Sequence, residues 1–167
     1  MPTVPVTRTH LRLGDHRPSR PAPPGFGLRA VSPCPAPLYR RLYADVGGPW
    51  HWRDKLAWDD ARLDAYLAEP GRRVFLAELD GALAGFVQLD RLADGTEELA
   101  YFGLLPAWLG RGLGGPLLDL AIAEAARSAP PAIILNTCTL DHPSALPNYL
   151  RRGFVVEREE SYAYDIP

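Results

Sequence analysis

The sequence predicts an α/β fold in which a mixed β-sheet carries helices on its faces. Three observations lead there. Short apolar runs recur between Asp-Gly and Pro-Gly turn signals, a broad apolar helical face spans residues 116–127, and residues 132–137 form an almost wholly apolar run suited to a strand buried on both sides. One domain accounts for 167 residues of which 47% are apolar and 23% charged, and a chain of this length builds a core without disulfide or metal staples.

Residues 1–25 read as a Pro- and Arg-rich extension in which 6–13 alternates enough for a short strand, either packed on the domain or carried as a mobile arm, and 16–24 is a polar, proline-rich linker. The main domain occupies 26–167. It opens with a strand at 27–31, a Pro-Cys-Pro turn and a helix around 38–45. After a loop rich in Gly and Trp, Asp59 starts a helical stretch carrying Leu63, Tyr66 and Leu67 at helical spacing, which Pro70 and Gly71 end. Strands at 74–79 and 84–89 flank the hairpin signal Asp80-Gly81, and a further strand at 98–105 follows Asp94-Gly95. The helix at 116–127 stops at Pro130 and Pro131. The strand at 132–137, a helix at 145–152 and a last pair of strands at 154–158 and 162–166 complete the order.

Composition narrows the function. A formal charge of -2 gives no field that would gather nucleic acid or anionic lipid, and no 18-residue stretch is free of charged or turn residues. Lys55, the one lysine, follows Asp54 and not Gly, so a Walker A loop is absent. None of the five serines lies in Gly-x-Ser-x-Gly. Cys34 and Cys138 fit reduced thiols in a cytoplasm, and the start of the chain, with Arg8, His10 and Arg12, is unlike a signal peptide. Cys138, Asp141 and His142 lack a fourth ligand at recognisable spacing, so no metal is expected.

The most informative segment runs from Leu104 to Pro116, joining a strand to a helix through Gly110, Arg111, Gly112, Leu113, Gly114 and Gly115. Such a turn serves either chain reversal or anion binding. Its glycines permit close backbone approach, and no Ser, Thr or Asp caps the helix start, so bare N–H groups at a positive helix end suit a phosphate.

The run Glu98-Leu-Ala-Tyr-Phe-Gly-Leu-Leu-Pro106 with Gly110-Arg-Gly-Leu-Gly114 resembles the acetyl-CoA loop of the GNAT N-acetyltransferase superfamily. The segment Ala145-x-x-x-Tyr149-x-x-x-Gly153-Phe154 is similar to that family's closing motif. Element order agrees from about residue 27 to 166. The resemblance implies a mostly antiparallel sheet with a central parallel pair that splays, and acetyl transfer from acetyl-CoA to a primary amine in a ternary complex. It also implies a small-molecule or peptide acceptor and a homodimer, with no metal. Two positions depart from the pattern: Leu109 replaces the Gln or Arg that opens the phosphate motif, and His142 replaces an asparagine seven residues before the tyrosine.

On this resemblance Glu98 is the general base and Tyr149 the acid for the leaving thiolate. Leu109 to Gly115 hold the diphosphate, the N–H groups of Leu104 and Leu105 meet the thioester or pantetheine arm, and His142 lies near that arm. On a regular strand Glu98 would share a face with Ala100, Phe102 and Leu104, apolar neighbours that raise a carboxyl pKa, while Glu97 points the other way. Glu98 also reads as a solvent-facing charge, and Tyr149 as a core tyrosine. The cluster Trp50-His51-Trp52-Arg53, with Tyr43 and Trp58 nearby, either packs a core or receives the acceptor. Its aromatic faces beside Asp54, Asp59 and Asp60 suit a cationic amine, and Arg53 or His51 suits a carboxylate. A non-catalytic acyl-CoA-binding module is the alternative, in which transfer does not occur.

Overall fold

The computed structural model describes residues 1–166. Its strands are β1 (Thr3–Leu13), β2 (Phe26–Val31), β3 (Arg72–Leu79), β4 (Ala82–Arg91), β5 (Glu97–Leu104), β6 (Ile133–Cys138) and β7 (Phe154–Asp165). Its helices are α1 (Ala36–Gly47), α2 (Asp60–Leu67), α3 (Gly114–Ala126) and α4 (Ala145–Arg151). The strands form one sheet in the order β2-β3-β4-β5-β6-β1-β7. Every pairing is antiparallel except β5 with β6, which meet only at Glu97↔Ile133 and Glu98↔Ile134. Beyond those two pairs the strands part, as the resemblance implies.

Each face of the sheet carries its own core. On one, Leu117, Leu118, Ala121 and Ile122 of α3 and Tyr149 of α4 pack on Leu89, Leu99, Leu135 and Phe154. On the other, Tyr39, Leu42, Tyr43 and Val46 of α1 and Leu63 and Leu67 of α2 pack on Val74, Leu76 and Phe86. Alternation along β3 feeds both: Val74 and Leu76 join one cluster, Phe75 and Ala77 the other. Asp59 caps α2 by accepting from the Arg62 N–H at 2.8 Å, whereas α3 has no side-chain cap. No helix among the described residues is long and apolar enough to cross a membrane.

β1 lies in the interior of the sheet, bonded to β6 from Arg8 to Arg12 and to β7 along its whole length. The two final strands expected at 154–158 and 162–166 are one strand. Glu159, Glu160 and Ser161 include no Gly, Pro, Asn or Asp to reverse the chain, and their backbone pairs with Thr9, Arg8 and Thr7. β1 separates β6 from β7 in the sheet.

At the start of β5, Glu97 is fully buried. Its carboxylate accepts from Arg73, from Arg91 Nε at 2.8 Å and from Ser128 Oγ at 3.1 Å, tying β3, β4 and the segment after α3 to the place where β5 meets β6. A buried charge held this way is costly to strip of its partners, and equally costly to remove from them.

Glu97→Ala is expected to lower the unfolding free energy by about 2–4 kcal/mol, at or below the usual loss for a broken buried pair because Arg91 keeps solvent contact. Chemical denaturation measures this. Removing residues 1–13 is expected to abolish the cooperative transition, since β6 and β7 would lose their shared partner; circular dichroism against denaturant checks it.

Candidate active site

The parting of β5 and β6 opens a cleft of about 950 Å³. Its walls are β5, β6, the turn from Leu109 to Gly115, the start of α4 and the loop between α1 and α2.

The turn is built from its ends inward. Leu105 donates its N–H to Ala84 O at 2.8 Å, a single 3₁₀ turn covers Pro106–Trp108, and Leu109 N–H bonds Pro106 O at 3.2 Å. Gly110 and Gly112 both take φ of 75°, in the region that favours glycine. Among the described residues, no carbonyl or side chain accepts from the N–H groups of Gly110, Arg111, Gly112, Leu113, Gly114 or Gly115; the next N–H, of Leu117, reaches Leu113 O at 2.8 Å. Pro116 sits in the first turn of α3, where its missing N–H leaves nothing unpaired. These residues therefore present bare donors at a positive helix end, a donor set that fits a diphosphate.

Two expected donors are already committed. Leu109 N–H and Leu105 N–H are both bonded within the protein, so neither faces a ligand. Leu104 differs. Because Leu105 bonds across to β4, the alternation of an antiparallel ladder turns the Leu104 N–H to the opposite edge, toward the cleft. The Arg111 side chain is exposed and lies over the Trp108 ring at 4.8 Å, outside the cleft lining; only its backbone belongs to the turn.

Glu98 lines the cleft, half-buried. Its expected alignment with Ala100, Phe102 and Leu104 is broken by a β-bulge: Gln88 pairs with Tyr101 and Leu89 with Leu99, leaving Ala100 unpaired. Leu99, Phe102 and Leu104 consequently pack with α3, while Tyr101 packs with α1 and α2. Burial raises the Glu98 carboxyl above its ordinary range, and Asp90 adds to this against the opposing pull of His10 and Arg72. Glu97 faces the opposite side, as expected, and is fully engaged there.

Tyr149 on α4 is buried between Phe102 and Phe154, with ring centroids 5.7 and 6.2 Å away, and lines the cleft. No described group bonds its hydroxyl, and burial raises its pKa, which keeps the phenol protonated. His142 lines the cleft too. Its Nδ1 accepts from Ser144 N–H at 3.0 Å, and its ring meets Trp50 edge-on at 4.9 Å, closing the cleft between the α1–α2 loop and the start of α4. Asp141 instead accepts from Thr137 Oγ1 at 2.5 Å and Cys138 N–H at 3.0 Å, and no three His, Cys, Asp or Glu side chains come together as a metal site among the described residues.

At the other end, Trp50, His51 and Trp52 line the cleft and Arg53 does not. Trp52 is wedged against Tyr43, Tyr101 and Phe86, over Gly47, where any side chain would collide with it. Of the aromatic faces expected to receive a cation, those of Tyr43 and Trp58 are occupied from within. Buried Lys55 donates to Tyr101 Oη at 2.8 Å, with Nζ 4.5 to 5.6 Å from the rings of Tyr101, Tyr66, Trp58 and Tyr43. Arg62 covers Trp58 and Arg72 covers Tyr66. Asp59 is spent on its helix cap, Asp60 pairs with Arg40 at 2.7 Å and Asp90 with Arg72 at 3.0 Å, so the acids left without an ion-pair partner on the cleft here are Asp54 and Glu98.

Sequence reasoning missed several lining residues. Arg8 on β1 donates to Asn136 Oδ1 at 2.5 Å and to Tyr162 Oη at 2.9 Å, and Asn148 of α4 faces the turn near Gly115. The pairing of β1 with β6 and β7 brings the first group together, and no local pattern announces it.

Comparison with known proteins agrees with this geometry. The profile of the acetyltransferase (GNAT) family matches residues 39–154. An uncharacterized N-acetyltransferase of Mycobacterium tuberculosis is 36% identical over 66 residues, which is 40% of this chain and 42% of that protein, so the match spans less than half of each. Among solved structures, a GCN5-related N-acetyltransferase from Sphaerobacter thermophilus superposes with a TM-score of 0.71 at 19% identity, over 97% of this chain and 52% of that one. Another from Kribbella flavida gives 0.63 at 18% identity, over 96% and 57%. With its splayed parallel pair, its glycine turn and a family match over most of its length, the chain belongs to the acetyltransferase (GNAT) family.

Proposed function

We propose that the protein transfers an acetyl group from acetyl-CoA to a primary amine, directly, in a ternary complex. The observation that carries this reading is the run of unpartnered N–H groups from Gly110 to Gly115 on the same cleft as a half-buried, free-standing Glu98. Acetyl-CoA, when bound, supplies an activated acyl carbonyl and a thiolate leaving group. Gly110 to Gly115 hold its diphosphate, and the Leu104 N–H is the donor for the thioester or pantetheine carbonyl. Glu98 takes a proton from the acceptor ammonium, directly or through water, and its raised pKa brings its basicity closer to that task. Tyr149, kept protonated by burial, offers a proton to the departing sulfur.

The acceptor end carries Asp54 and Glu98 free of ion-pair partners, which favours a cationic amine held by carboxylates, with Trp50, His51 and Trp52 shaping its walls. A binding module without transfer requires neither an unpaired Glu98 nor an unbonded Tyr149 hydroxyl. The free thiols of Cys34 and Cys138 support a reducing, cytoplasmic setting. Incubation with acetyl-CoA and a panel of primary amines, read as released thiol, tests the reading; coenzyme binding with no amine-dependent thiol would leave the binding module in its place.

Glu98→Gln is expected to lower the rate about 10²- to 10⁴-fold. In the wild type, activity should fall as the pH drops through a pKa above the ordinary carboxylate range. Stability should move the other way. A carboxyl whose folded pKa is raised contributes stability only while protonated, and that contribution is lost as pH rises through the folded value, so at neutral pH the Gln variant should melt higher than wild type. Tyr149→Phe is expected to reduce kcat about 10²-fold with little change in KM for acetyl-CoA, as measured by steady-state kinetics.

A further inference from the structure

The segment joining β1 to β2 is strapped across the start of α3. Gly14 N–H bonds Gly153 O and Arg17 N–H bonds Arg152 O, both at 2.9 Å. Asp119 of α3 then fixes the middle of the strap: Oδ2 accepts from Ser19 N–H at 2.7 Å and Ser19 Oγ at 2.6 Å, and Oδ1 meets His16 Nε2 at 2.9 Å. Ser19 lies so close to Gly115 that a side chain there would run into it. The next residue, Arg20, donates from Nη2 to the carbonyl oxygen of Gly112 at 2.9 Å, and its guanidinium fills the space a side chain on Gly112 would need. Arg20 has no carboxylate partner among the described residues.

The carbonyl of Gly112 and the N–H of Leu113 belong to one planar trans peptide and point in opposite directions. Glycine at 112, with φ of 75°, leaves that peptide free to rotate unless something holds it. Arg20 holds it by the carbonyl. We propose that Arg20 is a positioning residue for the anion-binding turn: by fixing the Gly112 carbonyl outside, it turns the Leu113 N–H toward the cleft. It thereby gives the turn a cationic support from the N-terminal strap, where Leu109 brings no side-chain donor. This rests on the acetyl-CoA reading above, and the ligand concerned is the diphosphate of the carrier.

Titration calorimetry with CoA and with pantetheine, which lacks the diphosphate, tests it. Arg20→Ala should weaken CoA binding about tenfold, the scale of one charge-assisted hydrogen bond, and shift pantetheine binding by less than about twofold. Arg20→Lys should recover part of the loss, and Asp119→Asn, which loosens Ser19 and His16, should reproduce part of it. In turnover the Ala variant should show the change in KM for acetyl-CoA, not in kcat. Wild-type affinity for CoA in Arg20→Ala, or equal losses for CoA and pantetheine, would overturn the proposal while leaving the coenzyme assignment intact. A wild-type protein that binds no CoA would remove both.

Discussion

β5 and β6 are hydrogen-bonded only where Glu97 and Glu98 meet Ile133 and Ile134, and the site follows from their separation beyond that point. Joined strands would consume each other's N–H and C=O groups; parted ones leave two edges facing a cleft. The buried carboxylate of Glu97 marks the fork, held by Arg73, Arg91 and Ser128 from three neighbouring segments. One residue further, Glu98 stands in the opening with no such partners. Two adjacent glutamates thus differ in their partners: the first is saturated with donors and the second is left without them on the cleft.

Much of the frame was legible because its signals are local. Short apolar runs mark β3 and β4, Asp80-Gly81 marks their turn, and the glycines at 110 and 112 do adopt the left-handed conformation that their type suggests. Three features were not legible, each for the same reason. The bulge at Ala100 depends on how β4 meets β5, the single long β7 depends on β1 lying beside it, and the engagement of Leu105 depends on the fold bringing the Ala84 carbonyl near. None of these is a property of a window of sequence. The fold class survives such errors since it depends on element order, whereas the identity of a free donor turns on a single hydrogen bond.

The acceptor end shows the same dependence on partners. Tyr43, Trp58, Tyr66 and Tyr101 look like a cation-binding box, and they are one, but the cation is Lys55, the only lysine of the chain. A buried ammonium with one phenol and four ring faces around it organises this wall as a hydrophobic core would. The cation on this wall is internal, whereas the carboxylates of Asp54 and Glu98 line the cleft itself.

β1 carries a consequence for how the molecule is made. Its first contact with β7 joins Thr3 to Asp165, 162 positions apart, and its contacts with β6 span 128 at Arg8 and Asn136. The strand therefore leaves the ribosome well before either partner exists, and its apolar residues Val6 and Leu11 wait uncovered while the rest is synthesised. Closure of the sheet is a late, long-range event with a large loop-entropy cost, slow by the measure that relates folding rate to sequence separation. During that interval the nascent chain carries a strand without its sheet partners, the stage at which pairing with another chain competes with folding.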